Sequence, residues 1–180
     1  LSSFFFVQEE EVICGLSVPS ITEEYVADYP SIVDRFFTKY YFRRLNRVDE
    51  DFLVLFHSNR VCLIGLAPTH IALKKGVKSI TFDIGNLDRS QNQVKGKGKK
   101  GGMVLQDDSI LALITCVDGS EYKVPSCVRG KLVEVNTNVV DDPKLLEKEG
   151  DGYIAIVLPK PENCDKIKKG LMSPDDYEKL

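Results

Sequence analysis

The stretch VDGSEYKVPSCVRGKLVEVN, residues 117–136, predicts the fold of this chain more clearly than any other part of the sequence. Asp118-Gly119 joins the apolar segment SILALITCV (109–117) to SEYKV (120–124). An Asp-Gly pair between apolar segments is a strong signal for a β-hairpin, because a type I′ turn needs positive φ at both central residues. The stretch therefore predicts two antiparallel strands joined by a tight turn.

Two more strands are predicted after this hairpin. Pro125 interrupts the ladder, Gly130 predicts a second tight turn, and KLVEVN (131–136) is the next strand. PKLLEKE (143–149) is predicted as a short helix with proline at its first position. GYIAIVL (152–158) is apolar throughout, which is typical of a buried strand.

The preceding half of the chain also predicts strands. DFLVLF and VCLIGLA flank HSNR and predict a hairpin over residues 52–67 with its turn at 57–60. VKSITFDI (77–84) alternates in a way that suits an edge strand or a half-exposed strand. Many short strands, tight turns and few long helices indicate a compact, mostly-β barrel or sandwich.

One amphipathic helix is predicted near the N-terminus. Its wide aromatic face consists of residues at i, i+3, i+4, i+7 and i+8, namely Val33, Phe36, Phe37, Tyr40 and Tyr41. Arg43, Arg44 and Arg47 follow near its predicted end, where positive charge suits the helix dipole. We expect this face to cover the core, and a partner-binding aromatic stripe is the alternative.

Composition divides the chain into three parts. Residues 1–28 are acidic with weak periodicity and are expected to be poorly ordered, 29–160 form the folded domain, and 161–180 are a tail with a short helix. Within the first part, PSITEEY (19–25) echoes PSIVDRF (30–36). Two copies are too few to predict a repeat architecture.

The overall charge restricts the classes of partner. The net charge is −3 over 180 residues, which argues against a protein that binds nucleic acid through its whole surface. No apolar run approaches the roughly 18 to 20 residues that a membrane-spanning helix needs. The sequence therefore predicts neither a nucleic-acid partner nor a membrane partner.

Cysteine usage predicts reduced, structural thiols. The count is odd and no pair has C-x-x-C spacing. The five cysteines are Cys14, Cys62, Cys116, Cys127 and Cys164. A zinc site built on Cys116 and Cys127 would need two more ligands, and the only histidines, His57 and His70, are not at ligand spacing. No metal site is predicted.

The most polar segment is the candidate site for a partner. GNLDRSQNQVKGKGKKGG (85–102) places four lysines within six positions, and these predicted partner-binding residues are Lys95, Lys97, Lys99 and Lys100. A solvated basic loop is one interpretation, and a contact with an anion or an acidic protein is the other. RNA binding through this loop is a weaker alternative, because no adjacent strand offers clustered aromatic side chains for stacking.

The same segment matches the spacing of a dinucleotide fingerprint. Gly96, Gly98 and Gly101 fit G-x-G-x-x-G, but no helical pattern follows them. Other catalytic patterns are equally incomplete. His57 lies beside Ser58 without a nucleophile elbow or a third group, and Asp141-Asp142 is interpreted as a helix-cap pair. We predict that the chain is not an enzyme.

Residues 129–160 resemble the C-terminal half of the glycine-cleavage H-protein. The shared pattern is a glycine turn at Gly130, the V-E-V-N strand at 133–136, the proline-initiated helix from Pro143, and G-x-G-aromatic at 150–153. Thirty residues in the same order are more specific than one short motif. The resemblance implies a barrel-sandwich hybrid, as in lipoyl and biotinyl domains, here with the N-terminal amphipathic helix and short helices.

The H-protein resemblance also implies where a cofactor would be attached. In that family the lipoylated lysine lies eleven residues before the turn glycine, and counting back from Gly130 reaches Gly119, which has no amine. Lys123, the nearest lysine, lies inside the predicted strand, and moving it to the tip would shift the register. We predict no cofactor. The alternative is a lipoyl- or biotinyl-type carrier or cofactor-transfer accessory domain that lacks the usual lysine.

Most of residues 29–160 resemble the Abitram family of actin-binding transcription modulators, also called Simiate. The stretches that carry this resemblance are YPSIVDRFFTKYY (29–41), HSNRVCLIGLA (57–67), VKSITFDI (77–84), CVDGSEYKVPSCVRGKLVEVN (116–136) and GYIAIVLPK (152–160). The resemblance implies an H-protein-like fold, actin as partner, a role linked to transcription, and no defined catalytic site. It also implies localisation in the nucleus and cytoplasm, including actin-rich cell projections. Self-association into a homo-oligomer is a further expectation.

Overall fold

The computed structural model describes residues 11–13, 16–18 and 30–180. The chain divides into two units between Ser31 and Ile32. In the first unit, β1 (Glu11–Ile13) pairs antiparallel with β2 (Leu16–Val18). The remainder of residues 1–28, including the PSITEEY echo, lies outside the described residues.

The second unit is built around two antiparallel sheets. The larger sheet has six strands, in the order β3 (Phe37–Phe42), β4 (Phe52–His57), β5 (Cys62–Leu66), β11 (Ala155–Leu158), β10 (Gly130–Val135) and β7 (Val104–Leu105). The smaller sheet has three strands, in the order β6 (Val77–Thr81), β8 (Ile110–Cys116) and β9 (Glu121–Pro125). The predicted hairpin over residues 52–67 is confirmed. The strand predicted over 77–84 forms over Val77–Thr81 only, and it lies at the edge of the smaller sheet.

Short helices connect the strands. The α-helices are α1 (Ile32–Phe36), α2 (Ile71–Lys75), α3 (Asn138–Asp141), α4 (Cys164–Gly170) and α5 (Pro174–Tyr177). Three 3₁₀ turns span Arg89–Gln91, Pro143–Glu147 and Pro161–Asn163. None of the helices in the described ranges has the length and hydrophobicity needed to cross a lipid bilayer.

The main hydrophobic core lies between the two sheets. Phe52 and Ile64 from the larger sheet and Leu111 and Ile114 from the smaller one are completely buried in the same cluster. Alternate residues of β4 and β5 reach this core, because side chains point to opposite faces of a strand. In β8 the neighbours Leu111 and Ala112 both reach it, at an irregularity in the pairing with β9. The mostly-β prediction is confirmed, as two antiparallel sheets without a closed barrel within residues 32–180.

The predicted aromatic helix is wrong beyond its first turn. The helix covers only Ile32–Phe36, and FTKYYF (37–42) forms strand β3. Tyr40 and Phe42 pack on the main core, whereas Phe37 and Tyr41 pack on a second cluster with Leu53 and Leu55. The aromatic side chains of β3 therefore alternate between the two faces of the sheet. All six residues pair with β4, and this pairing decides for a strand although their spacing also fits a helix.

The second turn also differs from the prediction. Gly130 is the first residue of β10, and the turn is centred on Cys127, whose φ is 60°. The Val128 amide donates to the Ser126 carbonyl at 2.6 Å, which closes a γ-turn around this cysteine. A γ-turn with positive φ is rare and strained, so no sequence rule for glycine turns would find it here.

Gly130 has a different reason to be glycine. A Cβ at this position would lie 2.7 Å from the Leu158 carbonyl oxygen and 2.8 Å from Val157 Cγ1. Neither of these strand atoms is the free end of a flexible side chain. Gly130 therefore permits the close approach of β10 and β11, rather than a change of chain direction.

The C-terminal residues pack on the edge of the larger sheet. The Tyr177 ring stacks on Tyr41 with 3.9 Å between ring centroids, and its hydroxyl donates to the buried Asp51 carboxylate at 2.9 Å. Arg43 also donates to Asp51, at 2.6 and 2.8 Å. Burial alone would raise the pKa of Asp51, but the bonds from Arg43 and Tyr177 outweigh it, and the pKa lies below its ordinary value.

We expect Gly130→Ala to lower the free energy of unfolding by about 1–3 kcal/mol, because the added methyl overpacks a rigid strand pair. Gly98→Ala is the matched control, since a Cβ there meets no atom within 4 Å, and it should change the stability by less than about 0.5 kcal/mol. Urea unfolding followed by circular dichroism measures both. Equal stability of the two variants would contradict the close-approach explanation.

Candidate functional site

The resemblance to the H-protein implies that a carrier domain would present its lysine at the tip of the β8–β9 hairpin. Gly119 has a φ of 81°, whereas Asp118 does not have positive φ. The Gly119 amide donates to the Cys116 carbonyl at 3.0 Å, and the Cys116 amide donates to the Ser120 carbonyl at 2.9 Å. The hairpin is confirmed, but the predicted type I′ turn is wrong. The turn is of a longer type, which ends in a single glycine with left-handed φ.

A lysine from another element lies against this tip. Lys75, the last residue of α2, places its Nζ 2.9 Å from Asp118 Oδ2 and 3.2 Å from Ser120 Oγ. The ammonium also lies 5.4 Å from the centre of the Tyr122 ring. The Lys75 amine is therefore held at the tip by an ion pair, a hydrogen bond and a cation–π contact.

The surroundings of the tip favour the charged forms of both Asp118 and Lys75. Hydrogen bonds from Ser120 and then from Lys75 lower the pKa of Asp118 to about 2. Hydrogen bonds with Tyr122 and Asp118 raise the pKa of Lys75 above its ordinary value. Acylation requires an unprotonated amine, and this environment stabilises the ammonium form. Lys123 is exposed within β9, as predicted, and lies opposite Leu113 of β8.

The four predicted partner-binding lysines lie on one small structure, residues 95–100, which we call the basic hairpin. Lys95 and Lys100 exchange two backbone hydrogen bonds of 2.9 Å. Gly96 and Lys99 have φ angles of 68° and 48°, which close the turn. Lys95, Lys97 and Lys100 are exposed and Lys99 is half-buried. The structure thus brings all four lysines together on an ordered turn.

Two side chains connect the basic hairpin and its flanking residues to β10. Lys131 Nζ donates to the carbonyl oxygens of Gly98 at 3.1 Å and Lys99 at 3.4 Å. Asn92 donates to the Leu132 carbonyl at 3.0 Å and accepts from the Met103 amide at 2.9 Å. These bonds fix the backbone while the lysine side chains of the hairpin remain available.

The charge of the basic hairpin is not neutralised within the described part of the chain. None of its four lysines forms an ion pair with a carboxylate there, unlike Lys39, Lys75 and Arg43. Four neighbouring positive charges repel one another, and a negatively charged partner relieves that repulsion. The chemistry of this surface is therefore the attraction of anionic groups.

The other residues considered for chemistry have structural roles. His57 Nδ1 accepts from the Asn59 amide at 3.1 Å, and its ring packs 5.1 Å from that of Phe37. Asp142 accepts from the Lys144 amide at 3.1 Å and caps the 3₁₀ turn that follows, as predicted. Neither residue has a nucleophile as a partner.

The described cysteines are free and buried, namely Cys62, Cys116, Cys127 and Cys164. Burial raises the pKa of the Cys127 thiol well above its usual value, which makes it a poor nucleophile. No group of three or more histidine, cysteine, aspartate or glutamate residues could hold a metal ion within the described ranges. Cys14 lies outside them.

Sequence reasoning missed the roles of Lys75 and Lys131. Lys75 reaches Ser120 across 45 positions, and Lys131 reaches Gly98 across 33 positions. Local patterns carry no signal for contacts of this separation. The Lys131 contact could be predicted only after the position of β10 beside the basic hairpin was known.

A buried histidine lies below the tip. His70 is completely buried, and its Nδ1 accepts from the Ala72 amide at 3.0 Å at the start of α2. Its ring packs against Phe52 and Tyr122, and its Nε2 has no hydrogen-bond partner among the described residues. Burial lowers the pKa of His70 to about 4, so the ring is neutral near pH 7.

A protein-family model matches the second half of the chain. It is described as Glycine cleavage H-protein and matches residues 86–180, which include β7 to α5 and the basic hairpin. Among solved structures, a glycine cleavage system H protein from Mycobacterium marinum superposes with a TM-score of 0.52 at 14% identity. That alignment covers 78% of this chain and 94% of the other, and it supports the fold alone.

Curated relatives are similar over nearly the whole chain. Protein Abitram of Drosophila melanogaster is 60% identical over 180 residues, covering 99% of this chain and 83% of that protein. Protein Abitram of Homo sapiens is 45% identical over 157 residues, covering 84% and 87%. Protein Abitram of Dictyostelium discoideum is 35% identical over 156 residues, covering 83% and 87%.

We expect acid to destabilise the fold through His70. As the pH falls from 6.5 to about 4, the unfolded state binds a proton at this residue and the folded state does not. The free energy of unfolding should therefore drop by about 3 kcal/mol more in the native chain than in His70→Gln over that window. Urea titrations at several pH values measure the difference. A constant gap between the two proteins from pH 7 to pH 4 would contradict this assignment.

Proposed function

Because this chain belongs to the Abitram family and carries a glycine cleavage H-protein domain over residues 86–180, we propose that it is a non-enzymatic protein that binds actin and modulates its polymerisation. The observation that carries this proposal is the ordered, unneutralised charge of the basic hairpin. Actin is an acidic protein, and a fixed cluster of cations suits such a partner. The role linked to transcription is part of the same proposal.

The basic hairpin is the proposed contact. Its backbone is already fixed by Lys131 and by the Lys95–Lys100 bonds, so binding orders only side chains. A preformed surface loses less conformational entropy on association than a flexible loop does. Charge steering also raises the association rate at low ionic strength.

The protein would act in two compartments. We propose the nucleus and the cytoplasm, including actin-rich cell projections, because actin assembly and a transcription-linked role require access to both. Association with a second copy of the chain is a further proposal, which sedimentation velocity at several concentrations tests.

A carrier function is the second candidate, and one observation favours it. The Lys75 Nζ lies at the tip where a carrier domain presents its lysine, although it comes from α2 rather than from the hairpin. Its ion pair with Asp118 would have to open before acylation. The proposed binding function requires no such rearrangement.

Co-sedimentation with actin filaments and a pyrene-actin polymerisation assay test the proposed function. We expect binding at micromolar protein and a change in polymerisation rate. If the chain neither sediments with filaments nor changes the rate at that concentration, the proposal is wrong.

The basic hairpin is tested by reversing its charges. The variant with glutamate at Lys95, Lys97, Lys99 and Lys100 should bind actin about tenfold more weakly or worse, and the remaining binding should lose most of its salt dependence. A control with the same net charge replaces four exposed lysines elsewhere by glutamate, namely Lys74, Lys78, Lys144 and Lys148. Native affinity in the control and weak affinity in the first variant support the contact. Unchanged affinity and salt sensitivity in the first variant would show that the basic hairpin is only a solvated turn.

A further inference from the structure

A cavity of about 330 Å³ lies between helix α4 and the turn that contains Cys127. Residues 106 and 107, which follow β7, also line this cavity. The cavity is at the opposite end of strands β8 and β9 from the hairpin tip, because residue 126 follows β9 directly whereas the tip precedes it. It shares no residue with the tip or with the basic hairpin.

Apolar side chains form part of the lining of this cavity, and we call this part its floor. Val128 is almost completely buried, and Phe42, Ile167 and Leu171 pack against the main core. A volume of about 330 Å³ lies at the lower end of the roughly 300–1,000 Å³ range of small-molecule sites. The floor therefore suits a short hydrocarbon chain rather than a large aromatic ligand.

The rim of the cavity is cationic. Arg129 and Lys166 are exposed, and neither side chain forms an ion pair or a hydrogen bond in the described part of the chain. They come from different elements, the start of β10 and helix α4, and both line the cavity. Asp107 is the only carboxylate among the lining residues, so the lining carries a net charge of +1 (two cations and one anion).

The wall that carries Arg129 is held in place by backbone and side-chain hydrogen bonds. The Cys127 amide donates to the Asp107 carbonyl at 2.9 Å, and the Ser126 amide donates to the Ser109 carbonyl at 2.8 Å. The Ser126 hydroxyl donates to the Val128 carbonyl at 2.8 Å. These bonds maintain the strained γ-turn at Cys127 and fix the residues before β10 relative to residues 107 and 109.

We propose that this cavity binds a medium-chain carboxylate, with the alkyl chain on the apolar floor and the carboxylate at Arg129 and Lys166. An apolar floor excludes a small inorganic anion as the best ligand, because such an ion would leave it empty. Two unpaired cations favour a carboxylate over a neutral alcohol of the same length. The site is independent of the actin contact and of any cofactor at the hairpin tip.

Octanoate is the probe. Titration of the full chain, followed by ¹⁵N–¹H NMR at neutral pH, should give saturable shifts at Val128, Arg129 and Ile167. Hexanoate should bind more weakly, by about fourfold for each CH₂ removed. Octanol, which lacks the charge, should bind at least about tenfold more weakly than octanoate.

Two variants and a matched control separate a specific site from charge alone. Arg129→Gln combined with Lys166→Gln should weaken octanoate binding about tenfold and leave octanol binding unchanged. Lys169→Gln removes a neighbouring charge on the same helix, outside the lining, and should have no effect. Shifts that do not saturate, or equal weakening by the Lys169 control and the double variant, would overturn the proposal. Unchanged spectra of the free variants would confirm that their folds are intact.

Discussion

The close approach of Gly130 to the backbone of Leu158 is the constraint on which most of this structure depends. It allows β10 and β11 to pair in the middle of the larger sheet, with Lys131 directly opposite Leu158. The residue before it, Arg129, then lies at the rim of the α4 cavity, and the residue after it reaches the basic hairpin. The two neighbours of Gly130 thus reach two separate surfaces, the α4 cavity and the basic hairpin.

The sequence was informative where local chemistry decides the structure. The two apolar segments around HSNR pair as predicted, and Asp142 caps its turn as predicted, because these features depend on neighbouring residues. The aromatic segment 37–42 was misread because its residues fit a helical spacing and a strand equally well, and the decision came from the partner strand β4. The strained turn at Cys127 had no local signal, since its geometry is maintained by bonds to residues 107 and 109.

The candidate site was predictable as a list of residues but not as an arrangement. Four lysines in six positions were evident from the sequence, whereas their support by Lys131 and Asn92 required the folded sheet. At the hairpin tip, the sequence shows that the carrier lysine is missing, but it does not show the Lys75–Asp118 ion pair. Spacing along the chain identifies candidate groups, and strand register decides which of them meet.

This chain has the architecture of a carrier domain without the chemistry of one: the H-protein-like domain is present, and the tip presents Asp118-Gly119 beside an ion-paired lysine. Intact-mass spectrometry of the protein purified from its native cell, followed by peptide mapping, tests this claim most directly. We expect no lipoyl or biotinyl mass on any lysine. An added lipoyl or biotinyl mass that maps to Lys75 or Lys123 would contradict it and would show that the hairpin is a working carrier.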